Sequence, residues 1–335
     1  MAIFSGYLIF GFSENIKGPA VPRIQADFSL SAFQVGLLLA TNSLAYLTAC
    51  GYTAALSRKI GSRMSLTVAL TVMAAAGACI CFAPAFPVLA LSYFLMYLGN
   101  GMLEIVLGLM AAAAFTKNTG AKMNLAHGFY GLSSCVSPML SAGLMGARFG
   151  TGELGWRYMY LIVLSSAFLP VIPALLCRLP GQGGTKNAVD YRKHLKDPSA
   201  WLVIALLSLG VTCEMGAGGW LVNFAEKARG FSENEAALAL TAFFVCFTLA
   251  RLALGPLADK LGFERALMLF TGFAAAATVA GVLSGRFGIG LLAAAGFGIG
   301  PVYPTVMALT ARMFRRNLEA AITVTLIVVG GGIVL

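Results

Sequence analysis

The sequence predicts an all-α integral membrane protein: two pseudo-symmetric six-helix bundles, with about eleven transmembrane helices present and the last incomplete. Composition, the spacing of apolar runs and an internal repeat predict it. Hydrophobic residues are 59% of the 335-residue chain and charged residues only 11%, where a soluble domain carries roughly 25% charged residues. Mean hydropathy is +0.85. These values exclude an ordinary cytosolic enzyme and a disordered chain. The 39 glycines suit helices that pack backbone to backbone in a bilayer.

A bilayer core takes about 20 mostly apolar residues per helix, and eleven such runs follow in order. Run 3–22 carries Glu14 and Lys17. Runs 34–56 and 65–84 flank a short basic loop. Run 87–115 holds Glu104 among Gly99, Gly101 and Gly108. Run 127–148 begins at His127, and run 158–177 closes the first set. Run 200–224 holds Glu214, and run 236–257 carries Arg251 near its inner end. Run 266–285 precedes run 287–310, which Pro301 and Pro304 interrupt. Run 320–335 ends with the chain. The long polar stretch after run 158–177 reads as a linker, dividing the chain into 1–178, 179–199 and 200–335.

Lys and Arg placement orients the runs. Of 23 such residues, Arg23, Arg148, Arg157, Lys227, Arg229 and Arg286 fall on one side. Lys17 and Arg251 lie inside runs, and the other fifteen share the opposite side, which is therefore cytoplasmic with the N-terminus and linker. The net charge of +10 thus has a topological cause, and nucleic acid drops out as a partner. The lipid bilayer takes its place, with a bacterial cytoplasmic membrane as the expected location. Seven cysteines without a CxxC, and two histidines far apart, give no zinc site, disulfide framework or cofactor site. No cleavable signal peptide is visible.

The segment from Ala54 to Leu66 aligns with Gly255–Leu267, placing Gly61 and Gly262 201 residues apart. The same offset matches Ser31 with Ser232, Leu37 with Leu238 and Gly99 with Gly300. Two parallel halves joined by a cytoplasmic linker are a plan for alternating access, with the site at midplane.

Gly255–Leu267, reading GPLADKLGFERAL, resembles the loop motif between the second and third helix of each half in the major facilitator superfamily. The resemblance assigns Gly255, Asp259, Lys260 and Gly262, with Gly61 and Arg63 of the first copy, to a gating motif. Gly255 permits close helix contact, and Asp259 stands where backbone donors and basic side chains can meet it. Arg58 stands at the first copy's Asp position. Arg251 is expected to snorkel or to pair with Asp259. Alternatively, these charges only set topology. Within the superfamily, Gly99–Glu104, Asn124–Gly131 and Gly298–Pro304 resemble the fucose:proton symporter-like branch. That resemblance makes Glu104 the proton- and substrate-coupling residue. The branch's symporters carry an acid where this chain has Gly18; Glu14 is one turn earlier.

Charged residues inside a bilayer cost roughly 2.5–3.5 kcal/mol each on insertion scales, and their default reading is functional. Glu104 either takes up and releases a proton or is paired permanently within its bundle. Glu14 and Lys17, three apart on one helix, either pair with each other or act separately, Glu14 as a proton site and Lys17 on an anionic group. Glu214 either faces a cavity opposite Glu14 or pairs with Arg251. His127 either titrates or faces water at the membrane boundary. For a sugar-type solute, Asn42, Asn100, Asn124 and Asn223 offer hydrogen bonds. Tyr130, Trp220 and Tyr303 offer flat apolar faces, Trp220 also being placed as an interfacial anchor.

The expected function is secondary active transport, a proton-coupled symport of a small polar solute such as a sugar, with solute and protons as partners. The alternatives are a proton-antiport exporter of amphipathic compounds, for which Gly131, Ser137, Pro138 and Gly143 are a partial motif, and a truncated, non-transporting membrane protein. An intramembrane enzyme needs clustered His, Cys or paired Asp within spans, and the sequence offers none. The repeat places Leu335 opposite Ser134, so a twelfth span is expected to be missing. Oligomeric state is left open.

Overall fold

The computed structural model describes residues 2–149, 152–176 and 191–334. The predicted linker therefore lies mostly outside the described residues, as do Cys177 and Leu335.

The first predicted run is two helices, α1 (Ala2–Asn15) and α2 (Lys17–Asp27), interrupted at Ile16. Runs two and three form one kinked helix, α3 (Ala32–Cys81). Run four is α4 (Phe86–Ala114) and run five is α5 (Thr119–Gly146). A short hairpin of β1 (Arg148–Phe149) and β2 (Gly152–Glu153) leads to α6 (Gly155–Ser165) and α7 (Phe168–Leu176), which together make run six. A five-residue helix, α8 (Tyr191–Leu195), precedes α9 (Pro198–Arg229), α10 (Glu233–Ala253) and α11 (Gly255–Leu261). Helix α12 (Phe263–Leu283) is run nine. Run ten is split into α13 (Ile289–Ile299) and α14 (Val302–Met313), and α15 (Leu318–Val334) is run eleven. Seven helices among the described residues are long and apolar enough to cross a membrane. The protein is a multi-pass integral membrane protein.

The repeat is written into the backbone. Ser31 and Ser232 both N-cap their helices with extended backbone, at φ −67°. Each closes a capping box, with Gln34 and Glu235 respectively. Gly61 and Gly262 adopt nearly the same conformation, φ 82°, ψ 153° and φ 84°, ψ 146°. Side-chain-bearing residues rarely enter that region, so glycine is required where the chain turns between spans.

The chain divides into two compact units: Met1–Ala114 with Leu132–Val189 and Ile322–Leu335, and Phe115–Gly131 with Asp190–Ala321. Both α5 and α15 are therefore divided, their first turns grouped with the second unit and the remainder with the first. Lipid tails are as apolar as leucine, so packing geometry, not water exclusion, holds membrane helices together. In the first unit α3 packs along α4, and Gly99 and Gly101 let the backbones meet. A Cβ on Gly101 would lie 2.8 Å from the Tyr46 carbonyl oxygen. Tyr93 and Tyr160 share a 2.5 Å hydrogen bond in the same core. The second unit packs Leu221, Phe243 and Phe247 into its centre.

Candidate functional site

In the first unit, α1 gives way to α2 where Gly18-Pro19 follows Lys17. A proline supplies no N–H to the preceding turn, and broken helices at membrane depth are tolerated where polar partners take over. Here they do. Asn15 Nδ2 donates to Gly11 O at 2.8 Å and to Ser134 Oγ at 2.9 Å. The Glu14 carboxylate collects three donors: Lys17 Nζ at 2.6 Å, Asn100 Nδ2 at 3.2 Å and Tyr97 Oη at 3.4 Å. Lys17 also donates to Tyr97 Oη at 2.7 Å, and Ser13 Oγ donates to Asn100 Oδ1 at 2.6 Å. The 3-residue spacing thus does bring Glu14 and Lys17 into an ion pair, and their side chains keep 27% and 32% exposure. Charge-assisted bonds of this kind are about twice as strong as neutral ones.

One turn beyond Asn100 on α4, Glu104 Oε2 accepts from Tyr46 Oη at 2.5 Å. Asn42, one turn before Tyr46 on α3, is 5% exposed, and its Oδ1 has no partner among the described residues. Helix α4 therefore carries two polar centres on consecutive turns.

In the second unit, Arg251 of α10 is 2% exposed. Its Nη2 lies 3.6 Å from Glu214 Oε2 of α9. Its Nε donates to Gly300 O at 2.8 Å and its Nη1 to His127 O at 3.5 Å. The Gly300 carbonyl has a reason to need Arg251. In a helix it would accept from residue 304, and Pro304 has no N–H. The predicted interruption of run ten and the buried arginine are thus one arrangement. Gly300 also packs directly on the Phe247 backbone, one turn from Arg251, which brings the guanidinium within reach.

Two expectations are corrected here. Arg251 neither snorkels nor pairs with Asp259: its guanidinium is buried against Phe247, 4.0 Å from the ring centroid. His127 does not face water. It is 6% exposed, with its ring 5.0 Å from that of Tyr303. Tyr130 stands 6.0 Å from the Arg251 guanidinium, and Asn124 Nδ2 donates to Gly120 O at 2.9 Å and Thr305 Oγ1 at 3.3 Å. Trp220 is 71% exposed and makes no ring contact or hydrogen bond among the described residues. Asn124, His127, Tyr130, Glu214, Arg251 and Tyr303 therefore share one neighbourhood, and Trp220 stands outside it.

Asp259 does meet backbone donors. Its two oxygens accept from Gly120 N and Ala121 N, each at 2.8 Å, at the start of α5. The negative charge sits where the helix dipole favours it. A Cβ on Gly255 would lie 2.8 Å from Ala121 Cα, so the glycine sets this approach. Lys260 is exposed and Arg63 half-buried.

Sequence reasoning did not single out Tyr46, Ser13 or Tyr97 as site residues. Nothing local marks Tyr46, whose carboxylate partner is 58 residues away. No group of His, Cys, Asp and Glu able to hold a metal occurs among the described residues.

Repeated halves, broken helices and charged clusters carried at the breaks define a transporter fold. The chain belongs to the Major Facilitator Superfamily, whose family model matches residues 3–335. It is 26% identical over 239 residues to the uncharacterized MFS-type transporter YcnB of Bacillus subtilis, covering 71% of this chain but only 46% of that protein's length. It is 26% identical to a putative metabolite transport protein of Haemophilus influenzae, with 95% of this chain and 84% of the relative covered. The crystal structure of the E. coli fucose:proton symporter superposes with a TM-score of 0.84 at 16% identity, covering 99% of this chain and 89% of that one. At that identity the likeness is one of fold.

Proposed function

We propose that this protein is a proton-coupled symporter of a small polar solute, most simply a sugar, and that it works by alternating access. The observation that carries the reading is Glu104: an acid inside a membrane-spanning helix, accepting from the Tyr46 hydroxyl, one turn from the Asn100–Glu14–Lys17 cluster. Intramembrane acids are expensive and usually lie on ion pathways. Protonated, Glu104 adds no charge to its unit; ionised, it adds one. That difference selects which loaded states reorient. The likeness of fold to a fucose:proton symporter supports the same reading.

Charge accounting favours a neutral solute. Lys17 is balanced by Glu14, and Arg251 by Glu214, so neither cation carries an unmatched charge toward an anion. Within the first unit, Asn42 offers such a solute a hydrogen-bonding group, its Oδ1 having no partner among the described residues. Asp259 of α11, bonded to the first turn of α5, acts as the gating latch. The reading places the protein in a bacterial cytoplasmic membrane, N-terminus and linker inside, with bundles at 1–178 and 200–335.

The test has two stages. Thermal-shift measurement of the purified protein against fucose, xylose and 3-phosphoglycerate finds the solute, because selective binding raises the midpoint. Uptake of that labelled solute into proteoliposomes is then driven by an imposed pH gradient. The reading expects a sugar to bind, and Glu104→Gln to abolish the response to the gradient. Uptake indifferent to the gradient, or stabilisation by 3-phosphoglycerate alone, overturns it.

A further inference from the structure

Tyr46 is fixed from two sides by residues without side chains. On α4, Gly101 stands one turn before Glu104, and a Cβ there would meet Tyr46 O at 2.8 Å and Tyr46 Cα at 3.2 Å. This sets how closely the Tyr46 backbone approaches α4. On α15, a Cβ on Gly330 would meet Tyr46 Cε1 at 2.9 Å and Cδ1 at 3.3 Å, with Leu47 Cδ2 also at 3.3 Å. A contact under 3.0 Å forces the ring to move, and the same Cβ would press on Leu47. Gly330 therefore decides where the ring lies. With both glycines in place, the hydroxyl reaches Glu104 Oε2.

We propose that Tyr46 is a positioning residue for the Glu104 carboxylate and that Gly330 of α15 sets whether its hydroxyl reaches the acid. The proposal rests on the assignment of Glu104 as the proton site and adds the part that orients it. It also gives α15 a role: a small shift of this helix along α3 is felt at an acid on α4, through one ring. Other titratable groups stand near Glu104 on the elements packed about it. Helix α3 brings Tyr46 and the fully buried Cys50. The adjoining α1 and α2 bring Glu14 and Lys17, held in their own ion pair. Helix α4 itself brings Tyr97, which is bonded to that pair. Gly330 adds none.

Carbodiimide labelling tests this without a solute. Dicyclohexylcarbodiimide reacts with carboxyl groups in apolar surroundings, and mass spectrometry of the purified full-length protein reads the labelling rate at Glu104. Losing one hydrogen bond to the carboxylate changes that rate by roughly 2- to 10-fold, the span of one bond's net free energy. Tyr46→Phe and Gly330→Ala are both expected to speed labelling by such a factor with the thermal midpoint retained. Gly143→Ala, where a Cβ meets nothing within 4 Å, is expected to leave the rate unchanged. An unchanged rate in Tyr46→Phe overturns the proposal. A changed rate in Tyr46→Phe but not in Gly330→Ala overturns the role given to α15. If both variants respond while Glu104→Gln keeps gradient-driven uptake, the positioning stands and the assignment of Glu104 as proton site is what fails.

Discussion

The pairing of Arg251 with the Gly300 carbonyl makes a quantitative prediction about Pro304. Replacing Arg251 alone by Met would strand Glu214, whose side chain is only 16% exposed. A buried charge left without its partner costs about 3–5 kcal/mol, which would mask everything else. The informative background is therefore Glu214→Gln with Arg251→Met, in which both charges are gone. What remains is the orphaned Gly300 carbonyl, and a buried acceptor without a donor costs about 1–3 kcal/mol. Pro304→Ala then restores an N–H at the position from which a helix would have bonded Gly300. In this background it should recover about 1 kcal/mol, the net worth of one hydrogen bond. In the parent protein the same substitution recovers nothing, because Arg251 Nε already occupies that oxygen at 2.8 Å. The change in unfolded-chain entropy on losing a proline, about 0.4–1 kcal/mol, enters both backgrounds and cancels. The expected coupling of about 1 kcal/mol exceeds the roughly 0.3–0.5 kcal/mol within which independent sites add. Chemical denaturation of the four proteins in mixed micelles measures it. Equal effects of Pro304→Ala in both backgrounds would refute the idea that Arg251 stands in for the missing amide.

Three further outcomes are expected. Asp259→Ala removes both acceptors at the start of α5 and should cost about 1–2 kcal/mol, in the range of lost helix caps; hydrogen exchange at Gly120 and Ala121 should rise, and unchanged protection there would count against the cap. Gly101→Val forces a branched side chain against Ala49 and the Tyr46 backbone, an overpacking worth about 1–3 kcal/mol, visible as a lowered thermal midpoint. His194 in α8 is 3% exposed, with its ring 4.7 Å from that of Phe314. Burial holds its imidazole below the usual range, and Asp197 offsets this only in part. The folded form therefore prefers the neutral ring, so its stability contribution is full above the ordinary imidazole range and is lost as pH falls through it. Acid should lower the midpoint of the parent protein more than that of His194→Leu, and parallel pH curves would refute it.

Much of this was legible because it is local. Each predicted run falls on a helix, on a pair of helices or, for runs two and three, on the two arms of one kinked helix. The serines and glycines matched at one offset proved to share backbone conformations, because caps and turns are fixed by a few neighbouring residues. Asp259 was legible in kind: a carboxylate after a close-packing glycine needs donors. Which donors was not, since Gly120 and Ala121 lie 139 and 138 residues away. Arg251 was legible in part: its pairing with Glu214 was one of the two readings, while the snorkelling or Asp259 reading failed for the same reason. Read locally, a basic residue near a helix end suggests water or the nearest acid. Only the folded chain brings it the Gly300 carbonyl that Pro304 leaves without a donor. Tyr46 gave no signal, because a tyrosine in an apolar run reads as filler until its hydroxyl has an address.

The matched torsions at Gly61 and Gly262 also bear on heredity. Every missense change of a glycine codon installs a side chain, and at φ near 83° a side chain costs of order 1–3 kcal/mol. At most sites in the aligned loops the side chains have drifted apart since the halves diverged, while these two angles have stayed together. What the two copies share at this point is a dihedral angle that glycine alone adopts readily. Variation in a population should accordingly avoid both codons more strictly than the charged residues beside them.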